Sequence, residues 1–398
     1  MLSFNIDKRE IIFSSIIQNI QSSENIKKNM NNKLISNSNI INNKIYCYLR
    51  KSKIFIKKNK IKSEKEKEKK KLLERKTILD KSIENWSNGI ISNYDYIMIL
   101  NTLSWRTYND LSQYPIYPWI ISDYKSERIN LYNNDIYRDL KFPIFAQEEE
   151  NRKKLKLKFE EVENGDEKYF SGTHYSNPGF ISYYLIRQKP YSIFASDIQG
   201  GYFDTPDRLF YDIKLFYDVN DKFQELIPEM FYLSEFLVNY NNFKFGQTQF
   251  KYVVNDVILP NWAKENYRLF VKMNKKALES CFISEKIHYW IDLIFGVKQS
   301  GKDAIEFLKV YRKACYNFDA DSYLCKLLDN IKNNNNNNDN NINYNYNYEK
   351  NKKEINKIYI EFEDLMNEIC EMGINPIQLF NKPHIKKERN QKEYCFFH

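Results

Sequence analysis

The chain has 398 residues, 42% of them hydrophobic and 16% aromatic, enough apolar surface for one large domain or two smaller ones, which excludes a globally disordered chain. Net charge is +9, but residues 1–76 carry 20 Lys/Arg against 7 Asp/Glu, so the remaining 322 residues come to −4. A nucleic-acid reader carries its basic residues on the folded surface with aromatics between them; here the folded part is mildly acidic, which argues against a nucleic-acid partner.

In chain order, residues 3–22 predict a short strand, a turn and an amphipathic helix with Ile12, Ile16 and Ile20 on one face. Such a piece cannot make a domain alone. Residues 23–50 are rich in Asn, Ser and Ile and read as a linker. Residues 51–76 contain KSEKEKEKKK, a solvated helix or tether rather than a binding stripe. No signal peptide opens the sequence, and Ile11–Ser23 is too short and polar to span a bilayer. The six cysteines form no CxxC pair, which suits a cytosolic chain with reduced thiols.

The pattern turns globular at about residue 78. Ser92 and Asp95 form a capping-box-like start, predicting a helix through about Trp105. Residues 106–150 carry turn signals, 147–168 read as an exposed charged loop or helix, and 169–222 are aromatic and irregular. Pro228 suits the first turn of a helix carrying Met230, Leu233, Phe236 and Leu237. Helices are predicted over 266–282 (Phe270, Met273, Ala277 and Cys281 on one face), over 284–295 (Ile287, Ile291, Ile294, stopped by Gly296) and over 302–316 (Ile305, Leu308, Tyr311). The Asn-rich stretch at 333–352 reads as a disordered insertion, and 354–372 as a further helix.

Motifs for nucleotide, nucleophile-elbow or zinc chemistry are absent from the sequence, and no cofactor or metal ligand set is expected. Only four histidines occur. His174 lies two residues from Ser176, but a His hydrogen-bonded inside the fold is the simpler reading. Asp204 and Asp207 in FDTPDR offer a carboxylate pair; a turn opened by Asp204, with Asp207 paired to a neighbouring Arg, is the simpler reading there. Arg106 and Asp110 stand four apart, as do Arg208 and Asp212: on a helix such pairs are a minor surface feature, and in an aromatic setting they would be partly buried.

The segment TLSWRTYNDLSQYPIYPWII crowds Tyr108, Tyr114, Tyr117 and Trp119 around Pro115 and Pro118, where neither helix nor sheet can continue. It is one of eight motifs in order: RTYNDLSQYPIYPWI, YRDLKFPI, THYSNPG, GGYFDTPDRLF, ELIPEMFYLSEFLVN, VNDVILPNWA, HYWIDLIFGVKQSG and NPIQLFNKPH. Together they resemble the BEACH (beige and Chediak–Higashi) domain over roughly residues 78–385. The resemblance implies a mostly α fold with an irregular extended core, in which extended segments lacking regular sheet are covered by helices. It further implies that residues 1–22 are the last strand and helix of a preceding pleckstrin-homology-like domain, largely missing here. Residues 23–77 then form the linker and 78–398 the BEACH domain. Trp105 stands where the family usually has a small residue, and Lys189 where an acidic one is common.

The implied function is a non-catalytic cytoplasmic scaffold, peripherally associated with intracellular membranes, acting in vesicle fusion or fission, lysosome-related compartments or autophagy. Implied partners are the pleckstrin-like domain and trafficking proteins; an anionic membrane reached through the basic 51–76 segment is the alternative. Candidate partner-groove or structural residues lie on the shared motifs: Arg106, Asn109, Asp110, Tyr114 and Trp119; Arg138 and Asp139; His174; Asp204 and Arg208; Asn255, Asp256 and Trp262; Trp290 and Asp292.

Overall fold

A computed structural model of the chain describes residues 58–163, 167–172, 174–218, 224–316 and 371–387, with side chains from residue 70 onward. The chain divides into two units, 1–75 and 76–398. Of the first, only 58–75 is described, and it is the beginning of helix α1 (Lys58–Ser87). The expectations for residues 3–22, for the 333–352 insertion and for 354–370 lie outside the described residues. An unbroken run of Lys and Glu without Gly or Pro favours helix, and α1 continues past residue 78 without a break.

The second unit is helical, and no named strand occurs among its described residues. Trp86 near the end of α1 stacks on Tyr96, centroids 4.8 Å apart. Helix α2 (Asn93–Leu103) starts at the expected cap: Ser92 accepts from the Asp95 amide and donates to the Asp95 carboxylate. The next helices are α3 (Glu149–Glu161), which buries no residue, then α4 (Pro178–Tyr184), α5 (Tyr191–Ile198) and α6 (Ile213–Asp218). They are followed by α7 (Tyr267–Leu278), α8 (Cys281–Ile294) and α9 (Gly301–Glu306).

Three helix expectations are corrected. Residues 228–239 form two 3₁₀ turns, Pro228–Phe231 and Glu235–Leu237. All four residues of the first turn are buried, Glu229 included, so the segment lacks the solvent face an amphipathic helix needs. The 266–282 helix breaks at Ser280, whose hydroxyl caps the next helix, leaving Cys281 exposed at the start of α8. The 302–316 helix ends at Glu306: Leu308 takes a left-handed φ of 60°, and Ile305 is 46% exposed.

Segment 114–121 is fully buried and runs through the main core with Trp86, Tyr96, Phe231 and Trp290. Among the described residues it meets other extended segments only at isolated bridges, Tyr117 with Leu226 and Ile121 with Tyr137. Elsewhere the ladder is replaced piece by piece. Asn101 of α2 accepts from the Ile116 amide at 2.8 Å and donates to the Ile116 carbonyl at 2.9 Å. Arg106 Nε donates to the Tyr114 carbonyl at 2.6 Å, and Glu225 accepts from the Trp119 amide at 3.2 Å. Pro115 and Pro118 have no N–H to satisfy. A non-sheet string can be buried because its backbone groups are met by side chains, bridges or proline.

Candidate functional site

The motif strings converge on a buried polar clasp. The Arg106 guanidinium donates to the carbonyls of Tyr114 and Ile374 and to the Ser176 hydroxyl. Burial lowers its pKa to about 10. His174 Nδ1 lies 3.0 Å from the same hydroxyl, and its Nε2 lies 3.2 Å from Asn375 Oδ1. Burial, with the Arg106 and Lys309 charges, pushes the His174 pKa well down. A Ser–His–Asn chain thus exists, but His174, Ser176 and Asn375 are all buried and Ser176 is also held by Arg106. A substrate cannot reach a nucleophile sealed this way.

Arg106 does not pair with Asp110, because Arg106 lies beyond the end of α2 and the i,i+4 register presumes a helix. Asp110 instead caps the 3₁₀ turn Leu111–Gln113, accepting from Ser112 and Gln113. Arg208 likewise pairs with Asp204 at 3.7 Å rather than with Asp212, and Asp212 accepts from the Leu215 amide. Asp207 accepts from the Gln249 amide rather than from an arginine. Asp204 accepts from Tyr183, so it and His174 share no hydrogen-bond partner.

The other motif residues are placed as follows. Arg138 and Glu225 form a bidentate pair, both bonds 2.8 Å, with almost no side-chain exposure. Tyr114 donates to Glu229 at 2.6 Å, and Trp119 Nε1 to the Gln224 carbonyl at 2.9 Å. Asp256 accepts from the Asn239 amide and the exposed Asn255 from the Asn239 side chain. Trp262 Nε1 donates to the Asp123 carbonyl. Trp290 is wholly buried, and Asp292 accepts from the His384 amide. Asp139 is exposed and accepts from the Lys141 amide at 3.0 Å.

Sequence reasoning missed Glu225, Glu229, Arg187 and Lys309, all buried. Arg187 donates to the carbonyls of Asn255 and Phe210. Each stands beside an apolar residue (Leu226, Met230, Ile186, Leu308), a signal shared by many surface positions.

Of the 105–120 stretch, the surface receives mainly Trp105 (41% exposed), Tyr108 (40%) and Asn109. Trp105 has a φ of 71° just after the end of α2, where glycine is the usual occupant. Tyr108 stands edge-on to buried Tyr114, centroids 5.4 Å apart. Tyr232, 48% exposed, stands edge-on to Tyr94 at 6.3 Å, and Tyr94 stacks on buried Tyr117. Desolvation, with the neighbouring tyrosines and Glu229, raises the pKa of Tyr108 and Tyr232 and brings Tyr94 to about 12. The result is an exposed pair of rings, Tyr108 and Tyr232, braced by Tyr114 and Tyr94, with exposed Trp105 three residues before Tyr108. Among the described residues no group of three His, Cys, Asp or Glu side chains could hold a metal ion, and no helix is long and apolar enough to cross a membrane.

The sequence profile of the Beige/BEACH domain family matches residues 84–387. Beige protein homolog 1 of Schizosaccharomyces pombe is 37% identical over 311 residues, 76% of this chain and 11% of that protein. BEACH domain-containing protein lvsE of Dictyostelium discoideum is 37% identical over 308 residues, 75% of this chain and 12% of its own. WD repeat- and FYVE domain-containing protein 4 of Mus musculus is 42% identical over 245 residues, 59% and 8% respectively. The chain therefore spans about a tenth of the length of these relatives.

Proposed function

The chain belongs to the BEACH family, and on that premise we propose that it is a non-catalytic interaction module that helps recruit trafficking machinery to membrane surfaces in the cytoplasm. Vesicle fusion or fission, lysosome-related compartments and autophagy are the processes in view. The observation that carries the reading is the outward-facing ring area of Trp105, Tyr108 and Tyr232, with Tyr108 braced by buried Tyr114 and Tyr232 by Tyr94, while the Ser–His–Asn chain among the described residues is sealed. Tyr and Trp supply much contact area at low entropic cost, which is why they dominate interface anchors. A preceding pleckstrin-like domain is proposed as the intramolecular neighbour of this region.

The test is capture of proteins from a cytosolic extract by the full chain, alone and with a pleckstrin-like domain restored. Defined partners should be captured by the wild type and lost with Trp105→Gly plus Tyr108→Ala. A blank in both formats, or capture indifferent to the two substitutions, would contradict the reading. A second reading rests on the lysine-rich start of α1. Each Lys near an anionic surface adds about 1 kcal/mol of attraction. Deleting 51–76 and measuring sedimentation with anionic liposomes separates the two, since only the lipid reading requires binding to fall.

A further inference from the structure

The turn after Ile136 and one stripe of α8 enclose a surface groove of about 270 Å³, lined by Tyr137, Asp139, Lys141, Phe282, Lys286 and Tyr289 together with the edge of Arg138. Phe282, Lys286 and Tyr289 are spaced i, i+4, i+7 and so share one face of the helix. The Tyr137 ring stacks on Phe282 with centroids 4.9 Å apart, so the pair forms an apolar floor presented through its ring edges. The floor is fixed from below. Tyr137 donates to the Leu131 carbonyl, and the Arg138 amide donates to the buried Ile120 carbonyl.

Two ammonium groups stand over these rings. Lys286 Nζ is 3.9 Å from the Phe282 centroid, and Lys141 Nζ is 5.3 Å from that of Tyr289. Both lysines are exposed, and neither forms an ion pair among the described residues. Two other charged groups line the groove. Arg138 is neutralised by Glu225, and the one carboxylate lining the groove, Asp139, is engaged by the Lys141 amide. Lys298 also approaches Tyr289, at 5.5 Å, but Asp292, Asp303 and Glu306 act on it, so it adds little free charge. In a folded part that is acidic overall, the groove sets two exposed lysines against one carboxylate, a net positive lining over aromatic rings.

We propose that this groove docks an acidic peptide segment of a partner protein, with one large apolar or aromatic side chain set against the edges of the half-buried Phe282 and Tyr289 rings and flanking carboxylates paired to Lys141 and Lys286. The recess selects the occupant. Phe282 and Tyr289 are half-buried in a concave wall, so a flat anionic bilayer meets no protruding apolar anchor there. A single side chain entering between two cations fits both the shape and the charge. The inference rests on the reading of the chain as an interaction module, but on residues separate from Trp105 and Tyr108.

The experiment is fluorescence-polarisation titration of the full chain with a labelled synthetic peptide, Glu-Asp-Glu-Trp-Glu-Asp-Glu between Gly-Ser flanks. Saturable binding is expected, weakening with added salt because the pairs are exposed. Replacing the peptide's Trp by Ser should weaken it several-fold. The double substitution Lys141→Glu and Lys286→Glu should weaken it about tenfold or more, with the thermal midpoint unchanged because both side chains are exposed. Absence of saturable binding, equal binding by the double variant, or equal binding of a Lys-for-acid control peptide would overturn the proposal. So would co-sedimentation with phosphatidylserine vesicles that needs these lysines while the peptide fails to bind. Extract capture that depends on Trp105 and Tyr108 but ignores Lys141 and Lys286 would sink this site and leave the interaction module standing.

Discussion

The Lys309 amine is buried between the rings of Tyr175 and Tyr311, 4.1 and 4.8 Å from their centroids, beside a cavity of about 10 Å³ that has room for a single water. It has no hydrogen-bond partner among the described protein atoms, and burial pushes its pKa well down. An isolated buried amine costs stability that an apolar group of similar shape does not. Lys309→Met is therefore expected to stabilise the fold by about 1–2 kcal/mol in urea denaturation; a loss of that size would mean that the amine is well satisfied. His384 gives a pH prediction. Its Nδ1 donates to the Ile385 carbonyl at 2.8 Å and its Nε2 accepts from Tyr96 at 2.6 Å, a pairing that needs the neutral ring. Burial lowers its pKa from 6.5 to about 4. The unfolded chain takes up the proton first, so this contribution is complete above about pH 6.5 and is lost as pH falls toward 4. The raised carboxyl pKa values of Glu229 and Glu279 run the other way. Comparing urea midpoints of wild type and His384→Gln between pH 7.5 and 4.5 isolates the histidine: the variant should show the shallower decline, and parallel curves would refute the assignment.

At the scale of elements, segment 114–121 is a strand without a sheet, and Asn101 is its most complete substitute partner. Asn101 binds the Ile116 amide and carbonyl and also donates to Ile97 of its own helix. Asn101→Ala would leave two buried backbone groups without partners and is expected to cost about 2–4 kcal/mol. A cost below 1 kcal/mol, read by the same denaturation, would mean that the string has other support. The proline-ring alternation of this string was readable, because Pro115 and Pro118 rule out both a helix and a central strand. Its partners were not. Asn101, Arg106 and Glu225 come from other elements, and Glu225 lies 106 residues beyond Trp119. Spacing rules fail for the same reason at Arg106–Asp110: four-residue pairing holds inside a helix, and Arg106 sits past the end of one. Helix existence was legible for α2, α7 and α8, where apolar residues repeat at helical spacing and polar caps stand at the ends. It was not legible at Pro228–Phe231, where burial on every side leaves no polar face, nor after Glu306, where Leu308 turns left-handed. The φ of 71° at Trp105 is a cost of the same kind, retained at an exposed ring. Trp105→Gly should change stability by less than about 1 kcal/mol, since glycine relieves the backbone while giving up ring contacts; a larger loss would make the ring structural rather than a contact for partners.

For the molecule as a whole, eight short motifs in one order sufficed to identify the family, and RTYNDLSQYPIYPWI among them marks a place where the chain is extended, buried and polar at once. The same motifs could not separate interior from surface. Arg106, Tyr114 and Trp119 face inward, while Tyr108 of the same motif, and Tyr137, Lys141 and Tyr289 of two others, border the surface features that carry the functional proposals. The central physical claim is that the interior is built from strings lacking a sheet yet as well protected as helices. Hydrogen exchange followed by mass spectrometry tests it directly, with peptides covering 112–121 compared with peptides from α8. The account predicts that the amides of Ile116, Tyr117 and Trp119 exchange only as slowly as those of α8, through global opening. Exchange of these three at the rate of an unprotected loop would contradict it.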